Sequence, residues 1–248
     1  MAGKPDNFIN KIICGDCLEV MKDWPDNCIK LTIVDPMYNI RLGKNQHYHR
    51  RLDDHPNIYW DNMEEKDYVQ FVDTLMRILL RISNCVVVTC GNGNQTYYPK
   101  PRWTAVWRKM NACTISPLTR GIKINKSCWE PILIYGMLDN PPMFDIIDCP
   151  ISVQPDAEGH PVPKPLKLFS EIVGWKEGLV FDPMVGSGTT CVAAKKLGRR
   201  YIGIDISEEY CKIARQRLKA VDTGVPVKEQ RQGQQALFKR GNSNGREA

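Results

Sequence analysis

The chain of 248 residues is 42% hydrophobic, enough for one sizeable core with an inserted or terminal appendage. Its formal charge of +6 suits a polyanionic partner without requiring one. The polar start and the lack of any apolar run near ~18 residues argue against a signal peptide and a membrane span, so a cytoplasmic location with ten reduced cysteines is expected.

Short apolar runs alternate with helical patterns along the chain. Candidate strands are 11–14, 29–34, 85–89, 104–107, 132–135, 179–181 and 201–204. One long helix is expected over 66–82, burying Val69, Val72, Leu75, Met76 and Leu79. Others follow Pro165, Gly188 and Ser207; Ser207 is a candidate N-cap, with Tyr210, Ile213, Ala214 and Leu218 as the inner stripe of its helix. The alternation predicts an α/β fold with a mostly parallel sheet. Residues 39–60, 94–102 and 140–165 read as irregular, and periodicity fades from Val221. The expected organisation is one domain over 1–220 with insertions near 39–60 and 94–128, then a flexible tail over 221–248. Cys14-Gly15-Asp16-Cys17 is a lone CxxC, so no metal site is expected.

Two segments carry chemistry. Asp35-Pro36-Met37-Tyr38 ends the second strand, at the carboxyl edge where open α/β sheets place ligands. An exocyclic amino nitrogen on a base is a poor nucleophile because its lone pair is delocalised into the ring. Acceptors aimed at its hydrogens, the Asp35 carboxylate and the Pro36 carbonyl, would make it more electron-rich, and Tyr38 would stack on the extruded base. The second segment, Asp182 to Thr190, is a tight glycine loop between a strand and a helix. Gly186 and Gly188 permit close backbone approach, but Cys191 stands where a dinucleotide site has its third glycine. Asp182 would repel a pyrophosphate and tolerate a cationic sulfonium amino acid. Asp205, at the end of the following strand, is placed to accept from ribose hydroxyls.

In order and spacing these pieces resemble the permuted, beta-class amino DNA methyltransferases, which methylate adenine N6 or cytosine N4 and place the catalytic motif before the cofactor motif. The resemblance spans about residues 11–220. It implies a Rossmann-like S-adenosylmethionine-dependent fold, a seven-stranded sheet with helices on both faces, and a bacterial or phage enzyme of restriction-modification type. Asp35, Pro36 and Tyr38 match the catalytic tetrad, with Met37 replacing its second proline. Trp129-Glu130-Pro131-Ile132-Leu133 resembles the late catalytic strand. Asp16, Lys164, Asp182, Pro183, Met184, Gly186, Ser187, Gly188, Thr189, Thr190 and Asp205 match cofactor-contacting positions, with Met184 where an aromatic is usual. An aspartate in the tetrad usually accompanies adenine, so N6-adenine in double-stranded DNA is the expected target. Cytosine N4, RNA, and a catalytically silent nucleic-acid-binding module are the alternatives.

Arg41, Lys44, His47, Tyr48, Arg50 and Arg51 would contact DNA beside the tetrad. A second basic and aromatic set comprises Tyr97, Tyr98, Lys100, Arg102, Arg108, Lys109, Arg120, Lys123 and Lys126. No large recognition domain is evident, which leaves a monomer or a homodimer as the expected state. Gln234-Gln235-Ala236-Leu237-Phe238 resembles peptides that bind bacterial sliding clamps.

Overall fold

The computed structural model describes residues 4–39, 63–111, 128–152, 155–157 and 164–231. Eight strands form one sheet: β1 (Lys11–Cys14), β2 (Leu31–Val34), β3 (Cys85–Thr89), β4 (Trp103–Arg108), β5 (Trp129–Gly136), β6 (Ile146–Asp148), β7 (Val180–Asp182) and β8 (Tyr201–Asp205). Their order is β1-β8-β7-β2-β3-β5-β4-β6, and only β5 runs antiparallel to its neighbours. The eighth strand corrects the expected seven. Ile146–Asp148 lies in a proline-dense stretch with too few residues to show alternation, and it pairs only at the edge, against β4.

The apolar runs explain the burial. β2 and β3 are buried along their whole length, as strands covered on both faces must be. Alternate residues then divide between two cores. Leu31, Ile33 and Val87 face one, which is closed by α3 (Leu166–Gly174), α4 (Thr189–Lys196) and α5 (Glu208–Thr223). Val34, Val86 and Val88 face the other, closed by α1 (Cys17–Met21) and α2 (Glu65–Ile82). Helices thus cover both faces. In α2 the buried face comprises Tyr68, Val72, Leu75, Met76, Leu79 and Ile82; Val69 is exposed, so the expected stripe is rotated by one residue at its start. Tyr68 takes the inner place because its hydroxyl has work there, described below. In α5 the inner stripe includes Arg217, while Tyr210 is only partly buried.

The expected tail boundary at 221 falls inside α5. That helix ends at Gly224, whose φ of 67° and bond to the Ala220 carbonyl form a left-handed cap. Val225 and Val227 are buried, and α6 (Val227–Arg231) follows. Apolar periodicity failed to reveal this because two valines suffice to pin the segment. The clamp-like peptide at 234–238 lies outside the described residues. Among those residues no helix is long and apolar enough to cross a membrane, and no cluster of His, Cys, Asp or Glu could hold a metal ion.

Candidate active site

Strand direction assembles the site. β1, β8, β7, β2, β3 and β4 run in the same sense, so the residues at their carboxyl ends share one edge. That edge carries Asp16, Asp205, Asp182, Asp35, Thr89 and Lys109. β5 runs the other way, so its beginning, Trp129-Glu130, comes to the same edge, with Glu130 opposite Trp107. The two segments read from the sequence, some 150 residues apart, become neighbours because β2 pairs with β7, Thr32 opposite Phe181.

Asp35 is half-buried within a charged cluster. Lys164 Nζ donates to both of its oxygens at 2.6 Å and to the Tyr38 hydroxyl at 2.8 Å. Thr89 Oγ1 donates to Asp35 Oδ1 at 2.6 Å. The Tyr38 hydroxyl lies 2.9 Å from Asp35 Oδ1 and 3.0 Å from Glu130 Oε2, and its one proton serves one carboxylate at a time. Glu130 is buried and its other oxygen accepts from Lys109. Burial, with Asp35 and Glu130 beside it, holds the Tyr38 hydroxyl well above its usual pKa. Burial alone would lower the Lys164 ammonium, but Asp35 and Glu130 outweigh it and the net shift is upward, so Lys164 is charged.

The tetrad backbone is pinned from α2 and the segment after β3. The Tyr68 hydroxyl donates to the Met37 carbonyl at 3.0 Å, and Asn94 donates its amide to the Tyr38 carbonyl. Asn39, at a φ of 50°, exchanges two hydrogen bonds with the Met63 backbone. Among the described residues nothing donates to the Pro36 carbonyl, which leaves that acceptor available.

The glycine loop lies beside this cluster. Asp182, the last residue of β7, accepts from Met184 N at 3.0 Å and from Thr190 Oγ1 at 2.5 Å. Among the described residues no cation pairs with it, and burial pushes its carboxyl up to about 7. Asp205 accepts from Gly186 N at 2.8 Å and Ser207 N at 2.9 Å, and burial raises it too. Each of its oxygens keeps a lone pair for a further donor. Asp16 caps α1 by accepting from Leu18 N at 2.8 Å and stays exposed beside Asp205. Pro183, Ser187, Gly188, Thr189 and Thr190 are buried; Met184 is partly buried against the α1–α2 core, as is Met37.

Arg217 braces the loop from α5. Fully buried, it donates from Nη1 to the Ser187 carbonyl (2.8 Å), Ser187 Oγ (3.2 Å) and Thr189 Oγ1 (3.1 Å), and from Nε to Asp156 at 3.0 Å. Arg217→Met is expected to cost about 1–3 kcal/mol of stability by stranding those acceptors. A shift in the denaturant midpoint, with the slope unchanged, is the measurement.

The structure redistributes several expected residues. Lys164, expected on the cofactor side, meets Asp35 and Tyr38. Lys109 is largely buried and pairs with Glu130, while Arg108 is exposed and pairs with Asp148 at the surface. Tyr98 is a core residue, bonded to Tyr68. Tyr97 stays near the tetrad, edge-on to Tyr68 with its hydroxyl on Glu65. Lys100 and Arg102 are exposed and precede β4, at the end opposite the one followed by Lys109. The structure does not bring them to the tetrad. Arg41, Lys44, His47, Tyr48, Arg50, Arg51, Arg120, Lys123 and Lys126 lie outside the described residues. Thr89, Glu130, Lys109, Asn94, Tyr68 and Arg217 were not singled out for these contacts by sequence.

The chain has a Rossmann-like α/β fold in permuted order, with the segment bearing Asp35 ahead of the one bearing the glycine loop. A family model described as DNA methylase, of N6/N4 type, matches residues 99–216. Residues 99–216, from just before β4 to the middle of α5, are thus the stretch that resembles this family. The chain is 58% identical over 64 residues to the type II methyltransferase M2.DpnII of Streptococcus pneumoniae, a match covering 25% of this chain and 24% of that protein. The chain thus matches about a quarter of that relative's length. Its fold is shared with the cytosine-N4-specific PvuII DNA methyltransferase (TM-score 0.63, 16% identity, 88% of each chain). It is shared too with M1.HpyAVI in its SAM complex (TM-score 0.56, 20% identity, 84% of this chain and 98% of that one).

Proposed function

We propose that this protein transfers a methyl group from S-adenosylmethionine to an exocyclic amino group in double-stranded DNA, the N6 amino of an extruded adenine. The observation that carries the reading is the pairing of β2 with β7, which sets Asp35 and the Asp182–Thr190 loop side by side on one edge. The cofactor supplies an electrophilic methyl on a sulfonium centre. The loop fits such a group. Asp182 is a buried acid with no cation beside it among the described residues, and Gly188 has no room for a side chain. Asp182 would face the cationic part of the ligand, Asp205 and Asp16 its ribose and adenine. Asp35 and the Pro36 carbonyl accept from the target amino hydrogens, Tyr38 stacks on the base, and positioning does the rest.

The aspartate in the tetrad favours adenine. The shared fold with a cytosine-N4-specific enzyme favours cytosine N4 as the second reading. Incubation with labelled cofactor and mixed DNA, followed by nucleoside mass analysis, separates them: N6-methyladenine is expected, N4-methylcytosine would establish the second reading, and unlabelled DNA would end both.

Asp182 gives this reading a pH signature. Its pKa near 7 lies above the usual carboxylate value of 3.8, so its charge is lost as pH falls through 7. Affinity for the cationic cofactor is expected to be about tenfold weaker at pH 6 than at pH 8 by calorimetry, and Asp182→Asn should flatten the profile. The unliganded protein follows the opposite sign. Between about 4 and 7 the folded chain holds a proton that the unfolded chain has released, so this group's contribution to stability falls as pH rises.

A further inference from the structure

Asp35 poses a problem for the chemistry just described. To accept from an incoming amino group it needs an oxygen turned to the substrate, yet Lys164 donates to both oxygens at 2.6 Å and Thr89 adds a third bond to Oδ1. Oδ2 keeps one lone pair, but an oxygen that shares its charge with an ammonium draws amino hydrogens weakly, so the chemistry favours an Asp35 that the ammonium has left. Lys164 is 9% exposed, so it cannot simply move into water, and a buried ammonium without an acceptor is costly. A second carboxylate stands ready. Glu130 Oε2 lies 3.7 Å from Lys164 Nζ, within ion-pair distance but beyond hydrogen-bond length.

We propose that Glu130 is a positioning residue for methyl transfer: it receives the Lys164 ammonium when the target base displaces it from Asp35. The proposal rests on the amino-methylation reading above. Charge makes the exchange nearly level. Asp35 and Glu130 are two carboxylates, Lys164 and Lys109 two ammoniums, and the cluster is neutral in either arrangement. Lys109 keeps one Glu130 oxygen engaged, so Oε2 is the oxygen left to compete for Lys164. The Tyr38 hydroxyl joins the two ends. While Lys164 sits on Asp35, Tyr38 can give its proton to Glu130 at 3.0 Å; when Lys164 moves to Glu130, that proton can turn to Asp35 at 2.9 Å. Neither carboxylate is then left without a donor at any stage. Sequence alone hides the arrangement, because Glu130 reaches this edge only through the reversed direction of β5.

The test has two arms, one independent of activity. In the first, single-turnover transfer to DNA is compared for the parent, Glu130→Gln, Lys164→Met and the double variant. Glu130→Gln is expected to slow transfer about 10–100-fold without changing cofactor affinity, because the ammonium now stays on Asp35. In the Lys164→Met background the same change should cost less than about twofold, there being no ammonium to receive. Equal costs in both backgrounds, or a parent rate in Glu130→Gln, would overturn the proposal. In the second arm, melting temperatures are measured for Asp35→Asn, Glu130→Gln and their combination. Losing both carboxylates removes the two anionic acceptors that face Lys164 among the described residues, so the combined loss should exceed the sum of the singles by at least about 4 °C, and Lys164→Met should remove the excess. Additive shifts would overturn it. A parent protein that methylates no DNA yet shows the melting excess would sink the proposed function and leave the shared ammonium standing.

Discussion

Asp35→Asn is expected to lower the single-turnover rate of methyl transfer by about 10³-fold while changing the cofactor dissociation constant less than about threefold. The rate term follows from chemistry. The amino nitrogen becomes nucleophilic only as its hydrogens are drawn away from the ring plane, and an anionic acceptor does this far better than a neutral amide. The Pro36 carbonyl remains, which is why the loss is large and not total. The affinity term follows from geometry, since Asp35 follows β2 and the glycine loop begins on β7, with no hydrogen bond between them among the described residues. Lys164 complicates the reading, because its ammonium loses a two-oxygen partner and the melting temperature should drop by a few degrees. Lys164→Met added to Asp35→Asn should restore the melting temperature without restoring the rate. Transfer by Asp35→Asn within tenfold of the parent would show that the carboxylate does not drive the reaction.

Both halves of this site were legible in the sequence because each is local. An apolar run ending in Asp-Pro-x-Tyr and a strand ending in Asp-Pro-Met-Val-Gly-Ser-Gly report their own geometry. The residues that surround Asp35 report nothing of the kind. Thr89 looks like the last β-branched residue of a strand, and Lys109 like one more surface cation after it. Glu130 reads as a charged interruption at the start of an apolar run. Their convergence depends on strand order, β2-β3-β5-β4, and on one reversed strand, neither of which periodicity encodes. The same limit explains α2. Helical spacing places Val69 and Tyr68 almost equally well, and the choice falls to Tyr68 because its hydroxyl reaches the Met37 carbonyl. Arg217 is the sharpest case. A lone arginine in a helix rich in charge is usually solvated, and only the loop packed against α5 turns it into a buried brace.

Gly188→Ala should abolish measurable cofactor binding, with at least about a 30-fold loss of affinity, although the change adds one methyl group. Gly188 sits at a φ of 90°, where an L-residue is strained by about 1–3 kcal/mol. Space is the larger obstacle. A Cβ there would lie 2.8 Å from the Ala214 Cβ and 3.0 Å from its Cα, so α5 or the loop must shift. Moving α5 carries Arg217 with it, one turn beyond Ala214 on the same face, and breaks its bonds to Ser187 and Thr189. The disturbance therefore spreads from one φ angle to the whole turn, which leads to Asp182 on one side and opens α4 on the other. Ala214→Gly in the same chain removes the nearer of the two clashes, and should recover part of the affinity while leaving the backbone strain. A Gly188→Ala protein that binds S-adenosylmethionine like the parent in calorimetry would mean that the ligand does not approach this loop at all.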